Sequence, residues 1–518
     1  MSRVALQAIA ALLILAPAAG ASAEDRVETR CGLVEGTTGS GGIRIFKGIP
    51  FAEPPVGDLR WKPPHPVKTW QGVRKAQDFG PAPVQRPSLA LFMRVPLNFN
   101  EDCLYLNVWT PARSADERLP VMAWIYGGAF AMGATSAPLY DGTSLAKKGV
   151  VVVSLAYRVG PLGFLAHPEL SREGGGVSGN YGLRDQIAGL RWVRDNISAF
   201  GGDPGCVTIF GESAGGISVS MLAASPAAKG LFQRAISQSG GSFGPAKVAQ
   251  EGGQNVPPLA VAEAQGRKFL ESLGAKEIAA ARAIPANDLL KGGGPWWPVF
   301  DGDILPGDQY ELYSAGRFND TPILVGTNSD EGSMFVQAGV TPEAFAARVR
   351  SGFGEHANAI LAAYPHATSD EALKAARGLF RDAAFAWHTW AWALLQSEKG
   401  MGKAFVYYFD HRTPLSPGGA NHGAEIGYIF RNLNQPGRPP RPEEVDLSEL
   451  MSTYWVNFAR SGDPNGPGLP RWPSIAAPSP RVMVFDEAPA ARPVPNFKQL
   501  EALDAYYAWR REQARKAP

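Results

Sequence analysis

One serine stands out by its neighbours. In Gly211-Glu-Ser-Ala-Gly215 a hydroxyl, Ser213, is flanked by small residues. The β-branched, apolar run Val207 to Phe210 precedes it, and a small-residue stretch, Gly216 to Ala224, follows. The run reads as a buried strand and the stretch as a helix. That context is a nucleophile elbow, a sharp strand-to-helix turn that lifts the hydroxyl off a sheet. Glycines on both sides suit it, because side chains there would collide. A serine hydroxyl is a poor nucleophile at neutral pH and needs two further parts. One is a base to take its proton; the other is a site for the negative oxygen of a tetrahedral intermediate. The chemistry to look for is acyl transfer.

The base must come from seven histidines. His65 and His167 lie in proline-bearing sequence and read as surface or packing residues. His356, His366 and His388 fall in helical patterning, and His411 follows a strand end. His422 differs: it sits in the glycine-rich loop Gly418-Gly-Ala-Asn-His-Gly423, where a side chain can reach over a sheet edge. An orienting acid completes the set, and one known chain order places it between the serine and the histidine. The run Ile323 to Gly326 ends in Thr327-Asn-Ser-Asp-Glu-Gly332, which offers Asp330 and Glu331. Spacing does not choose between them.

These side chains need a scaffold, and the chain supplies one. Apolar, β-rich runs recur at 121–126, 150–156, 207–210, 235–238, 323–326 and 404–409, with helical or loop segments between them. An amphipathic helix is predicted over 185–199. Strands that are apolar throughout, alternating with helices, predict an α/β protein with a mostly parallel sheet covered on both faces. Sites in such sheets lie beyond the carboxyl ends of the strands, where Gly127, Ser213 and Glu331 all fall. Residues 27–36 and 42–46 are expected to form a short antiparallel hairpin. Residues 240–298 and 341–400 carry helical patterning and are read as excursions forming a lid or pocket wall. The last segment, 497–516, is read as an amphipathic helix.

The bulk numbers are those of an ordinary globular protein. Of 518 residues, 45% are hydrophobic and 19% charged, and the net charge is only +2. No basic block points to nucleic acid or an anionic membrane surface. Residues 1–23 read as a cleavable signal peptide: Arg3, an apolar stretch from Val4 to Ala18, and Ala21-Ser-Ala23 before Glu24. The expected product is a single domain, residues 24–518, secreted or periplasmic and without stable membrane insertion. Three cysteines permit at most one bridge, and Cys31 with Cys103 is the expected pair; Cys206 reads as an inert core thiol.

Several pieces together carry a resemblance. Gly211 to Gly216 and Glu101-Asp-Cys-Leu-Tyr-Leu-Asn107 resemble the type-B carboxylesterase/lipase family, relatives of cholinesterases and bacterial p-nitrobenzyl esterases. So do Phe46-Lys-Gly-Ile-Pro-Phe-Ala52, Trp124-Ile-Tyr-Gly-Gly-Ala-Phe130, Asn328 to Gly332 and His422-Gly423 with Glu425-Ile426. The resemblance implies an α/β-hydrolase fold and a Ser213–His422–Glu331 triad. It implies that Ser239 steadies Glu331, and that Gly128 and Ala129 join Ala214 in an oxyanion hole. Each such donor is worth ~3 kcal/mol in the barrier. It also implies structural charge pairs, Arg60 with Glu101 and Arg158 with Asp185.

The implied activity is hydrolysis of small-molecule carboxylic esters through an acyl-enzyme, with no metal or cofactor. Phe92, Met93, Phe130, Met132, Trp296, Trp297, Phe300 and Phe335 are candidate pocket residues favouring uncharged esters. Cholinesterases carry a choline-stacking tryptophan where this chain has Met93, which disfavours choline esters. An inactive cholinesterase-like binding module and an interfacial lipase are the competing classes. The intact set of three chemical groups argues against the first, and the absence of a long apolar lid helix against the second.

Overall fold

The structure is a computed structural model that describes residues 25–88, 94–246, 256–294, 296–434, 438–475 and 480–516. Fourteen strands form among them: β1 (Arg26–Thr29), β2 (Gly32–Glu35), β3 (Thr37–Thr38), β4 (Arg44–Pro50), β5 (Val73–Lys75), β6 (Tyr105–Thr110) and β7 (Leu119–Ile125). The chain continues through β8 (Val151–Leu155), β9 (Gly202–Glu212), β10 (Arg234–Gln238), β11 (Ile323–Asn328), β12 (Ala404–Phe409), β13 (Arg481–Phe485) and β14 (Ala490–Pro493). Eleven of them make one sheet in the order β14-β13-β12-β11-β10-β9-β7-β8-β6-β4-β3. From β8 to β13 every neighbouring pair is parallel; antiparallel pairs close both ends.

Each apolar run read from the sequence lies within or overlaps one of the central strands. The five residues of β8 are all buried, as expected where helices cover both faces of a parallel sheet. Beneath β9 the indole of Trp124 packs against Phe210, Phe430 and Tyr140 at 4.8, 5.0 and 5.1 Å. This aromatic cluster fixes the strand that leads into Ser213. The helix Tyr181–Asn196 and the terminal helix Phe497–Lys516 occupy the predicted segments. The two excursions are helical too, at Leu259–Ser272 and Pro342–Phe353 among others.

Three expectations are corrected. Residues 27–36 do not pair with 42–46. A turn closed by Thr29 Oγ1 donating to the Gly32 carbonyl at 2.7 Å splits the first segment into β1 and β2. These two join β5 in a separate three-stranded sheet, while β4 pairs with β3 and β6. The strands β3, β6, β13 and β14 extend the large sheet where no strand was expected. The Cys31–Cys103 bridge is absent, because the two thiols belong to different surroundings. Cys31 sits near the β1–β2 turn, its thiol 3.8 Å from the Val67 carbonyl. Cys103 is buried just before β6.

Both implied charge pairs form. Arg158 grips Asp185 through Nε at 2.8 Å and Nη2 at 2.7 Å, with both side chains buried. Arg60 grips Glu101 at 2.7 and 2.5 Å and donates onward to the Ile284 carbonyl at 2.6 Å. Among the described residues no helix is long and apolar enough to cross a membrane.

Candidate active site

The β9 strand delivers Ser213 into a backbone conformation that few non-glycine residues adopt, with φ 55° and ψ −124°. Holding it there costs ~1–3 kcal/mol, which the surrounding packing must offset. The Ser213 amide donates to the Gln238 carbonyl at 2.9 Å, anchoring the turn to β10. The serine carbonyl in turn accepts from the Ile217 amide at 2.8 Å, starting the helix Ala214–Ala224. The motif's glycines have a steric reason. A Cβ on Gly215 would collide with the Ile125 carbonyl, and one on Gly211 would lie 2.6 Å from the Gly215 backbone. The helix crosses β7 too closely for side chains there.

The loop after β7 comes to the same point. A Cβ on Gly127 would stand 3.0 Å from Ser213 Cβ and 2.6 Å from the Glu212 carbonyl, so only glycine lets the two segments touch. Next to it, Gly128 and Ala129 have φ of 117° and 53°. Among the described residues, the amides of Gly128, Ala129 and Ala214 have no acceptor. Ala214 also opens a helix, whose positive end favours developing negative charge.

Glu331 and His422 meet across two loops. Glu331 follows β11, His422 follows β12, and the loops are joined by Asp330 N–H donating to the Ala420 carbonyl at 2.9 Å. His422 Nδ1 lies 2.5 Å from Glu331 Oε2. The other oxygen, Oε1, accepts from the Ser239 hydroxyl at 2.5 Å and from the Asn328 amide at 2.7 Å. This carboxylate is wholly buried, with Oε1 held by two donors and Oε2 left to the ring. The far ring edge faces the elbow: Nε2 lies 3.2 Å from Oε1 of Glu212, the residue before the serine.

A sequence profile of the carboxylesterase family matches residues 23–502. The chain belongs to the carboxylesterase family. It is 38% identical over 467 residues to a fumonisin B1 esterase of Sphingopyxis macrogoltabida, covering 86% of this chain and 83% of that one. With the para-nitrobenzyl esterase of Bacillus subtilis it shares 36% identity over 488 residues, 89% of this chain and 94% of the relative. A solved carboxylesterase of Geobacillus stearothermophilus superposes with a TM-score of 0.80 at 34% identity, covering 92% of this chain and 99% of that one. The fold is that of an α/β-hydrolase, and the protein is a carboxylic ester hydrolase.

Around His422 this carboxylesterase buries three carboxylates, Glu212, Glu331 and Glu425. Burial pushes the Glu212 acid up to about 8; the nearby His422 opposes the rise, while Glu425 and Glu331 add to it. Glu212 Oε1 is itself a buried acceptor without a hydrogen-bond partner. Burial disfavours a charged His422, but the carboxylates of Glu212 and Glu331 outweigh it and carry the ring up to about 9. Glu425 accepts from Gln238 Nε2 at 3.0 Å and Asn328 Nδ2 at 2.5 Å, tying β10, β11 and the His422 loop together. Burial, reinforced by Glu331, raises its acid as well. Among the described residues no set of three His, Cys, Asp or Glu side chains is arranged to hold a metal ion.

The predicted aromatic wall of the carboxylesterase divides. Phe335 meets the His422 ring edge-on at 5.3 Å. Phe130 follows Ala129 and packs against Trp297 at 4.9 Å. Met132 underlies Gly128. Trp296 turns away to Phe269 at 4.5 Å, and the Phe300 backbone pairs with Pro257. Phe92, Met93 and residues 1–23 lie outside the described residues. Sequence reasoning missed Glu212, Glu425 and Phe385. Glu212 carried a signal, standing inside the elbow motif. Phe385, stacked on His422 at 4.6 Å, carried none.

Proposed function

We propose that this chain is an exported serine carboxylesterase working through an acyl-enzyme, with Ser213, His422 and Glu331 as its triad. The observation that carries the reading is the Glu331–His422 bond at 2.5 Å, with the opposite ring nitrogen turned to the strained elbow. Ser213 Oγ attacks the ester carbonyl while His422 Nε2 takes its proton. Glu331 holds the tautomer with Nδ1 protonated and stabilises the imidazolium. The carbonyl oxygen gains a negative charge that the amides of Gly128, Ala129 and Ala214 are free to bind. His422 then gives the proton to the leaving alcohol. Water, activated by the same ring, attacks the acyl-serine and releases the acid. In resting enzymes of this kind the serine–histidine bond is often loose and tightens only with substrate.

The apolar side chains at the site, Phe335 and Phe130 with Met132 beneath, support uncharged esters with aryl or short apolar groups. The relatives act on chemically different esters by their names, so family membership leaves the acyl and alcohol groups open to selection by these residues. Export rests on the character of residues 1–23; the amino terminus of the periplasmic or secreted protein is expected at Glu24.

The test is turnover of short- and long-chain p-nitrophenyl esters by wild type and Ser213→Ala. Wild type is expected to favour short chains, and the variant to lose activity by about 10⁶-fold, as when a triad serine is removed. Substantial turnover by Ser213→Ala would contradict the serine mechanism. A preference for long chains at a lipid–water interface would replace the esterase reading with a lipase.

A further inference from the structure

Between the helices Ser369–Arg381 and Trp387–Lys399 the chain makes one π-helical turn, Asp382–Ala386, closed by the Trp387 amide donating to the Asp382 carbonyl. Such a turn inserts one residue into a helix and recurs at functional sites. One inserted residue rotates the following face by about 100°. Here the ring brought inward belongs to Phe385, which stacks on the His422 imidazole with centroids 4.6 Å apart and planes 22° from parallel.

The turn is pinned through Asp382, which is fully buried. Its Oδ1 accepts from Arg381 Nε at 2.7 Å and Asn496 Nδ2 at 2.6 Å. Its Oδ2 accepts from Arg381 Nη2 at 2.9 Å and the Tyr364 hydroxyl at 2.8 Å. Arg381 Nη1 reaches on to the Ser329 carbonyl at 3.0 Å, in the loop that carries Glu331. The Ser329 hydroxyl accepts from the Ala420 amide at 2.9 Å, in the loop that carries His422. One buried ion pair thus fixes the π-helical turn, the acid's loop and the base's loop against one another.

We propose that Phe385, presented by this π-helical turn, is a positioning residue that clamps the His422 ring so that Nε2 stays turned toward Ser213. The inference rests on the serine mechanism above. The Glu331 bond fixes Nδ1 and Phe335 meets the ring edge-on, while the phenyl stacked on the ring's face blocks its swing about the Glu331 contact. The electron-rich face of the phenyl also favours the imidazolium that forms when the ring takes the serine proton. Ester binding does not depend on this contact, so the clamp acts on kcat and not on KM.

The experiment is steady-state hydrolysis of a short p-nitrophenyl ester by Phe385→Leu, Phe385→Ala and Phe385→Tyr, beside wild type and Ser213→Ala, with thermal unfolding to verify the fold. Leu and Ala are expected to lose about tenfold in kcat, part of the ~10²–10⁴ that a positioned base supplies. Their KM should stay within about twofold of wild type, and Tyr, which can still stack, should retain most of the activity. An unchanged kcat in folded Leu and Ala variants overturns the clamp, as does a Tyr variant no better than Leu. If Phe385→Ala does not fold, the Leu and Tyr pair decides. Wild-type turnover by Ser213→Ala overturns the serine mechanism and the clamp with it. Its loss beside an unaffected Phe385→Leu overturns the clamp alone.

Discussion

Two of this molecule's charge clusters are built on opposite plans. At the first, Arg158 and Asp185 close a bidentate pair and Arg60 and Glu101 a second, each carboxylate matched by one guanidinium. At the second, Glu212, Glu331 and Glu425 share a single titratable ring, His422, and one Glu212 oxygen has no hydrogen-bond partner. A matched pair needs nothing more and braces loops. In the proposed mechanism, an unmatched cluster of acids favours the imidazolium that acyl transfer forms on His422. The contrast teaches that buried charge marks chemistry where its neutralisation is incomplete.

The largest effect expected from disturbing this contrast is at Glu331. Glu331→Gln keeps the shape but presents an amide to Nδ1, so the tautomer is lost and kcat should fall by about 10⁴-fold. The melting temperature should move little; a loss under tenfold would remove Glu331 from the catalytic set. At the matched cluster the outcome should reverse. Arg158→Met leaves Asp185 buried and uncompensated, which costs about 3–5 kcal/mol of stability in chemical unfolding. The enzyme that remains folded should retain its kcat, and a stable but inactive Arg158→Met would break the comparison.

The smallest effect is a shift in pH dependence at Glu212. In the proposed mechanism His422 must be unprotonated to accept the serine proton. The acid limb of kcat/KM should therefore lie above the ordinary imidazole value of 6.5, toward about 9. Ionised Glu212 favours the imidazolium, so Glu212→Gln should move that limb to lower pH. A limb that stays put, or moves up, would show that Glu212 does not act on the ring.

Much of this site was legible in one dimension because turns and strand ends are local. Gly211, Ser213 and Gly215 announce the elbow, since the close crossing of helix and strand leaves room for nothing larger. The choice of Glu331 over Asp330 was not legible in spacing: both stand in the same turn, and only the approach of the His422 loop selects one. Phe385 was invisible because a π-helical turn has no sequence signature and sets the phase of everything after it. The β1–β2 split was missed for a related reason, a tight turn at Thr29–Gly32 inside what reads as one strand. The β6 strand starts within Glu101 to Asn107, a stretch read as a family motif rather than as structure.

The central claim is met most directly by trapping the acyl transfer. Wild-type protein treated with a fluorophosphonate, digested and sequenced by mass spectrometry should carry one phosphonyl group, on Ser213. Heat-unfolded protein, in which the proposed triad is dispersed, should carry none. Labelling at another residue, or equal labelling of the unfolded chain, would contradict the account.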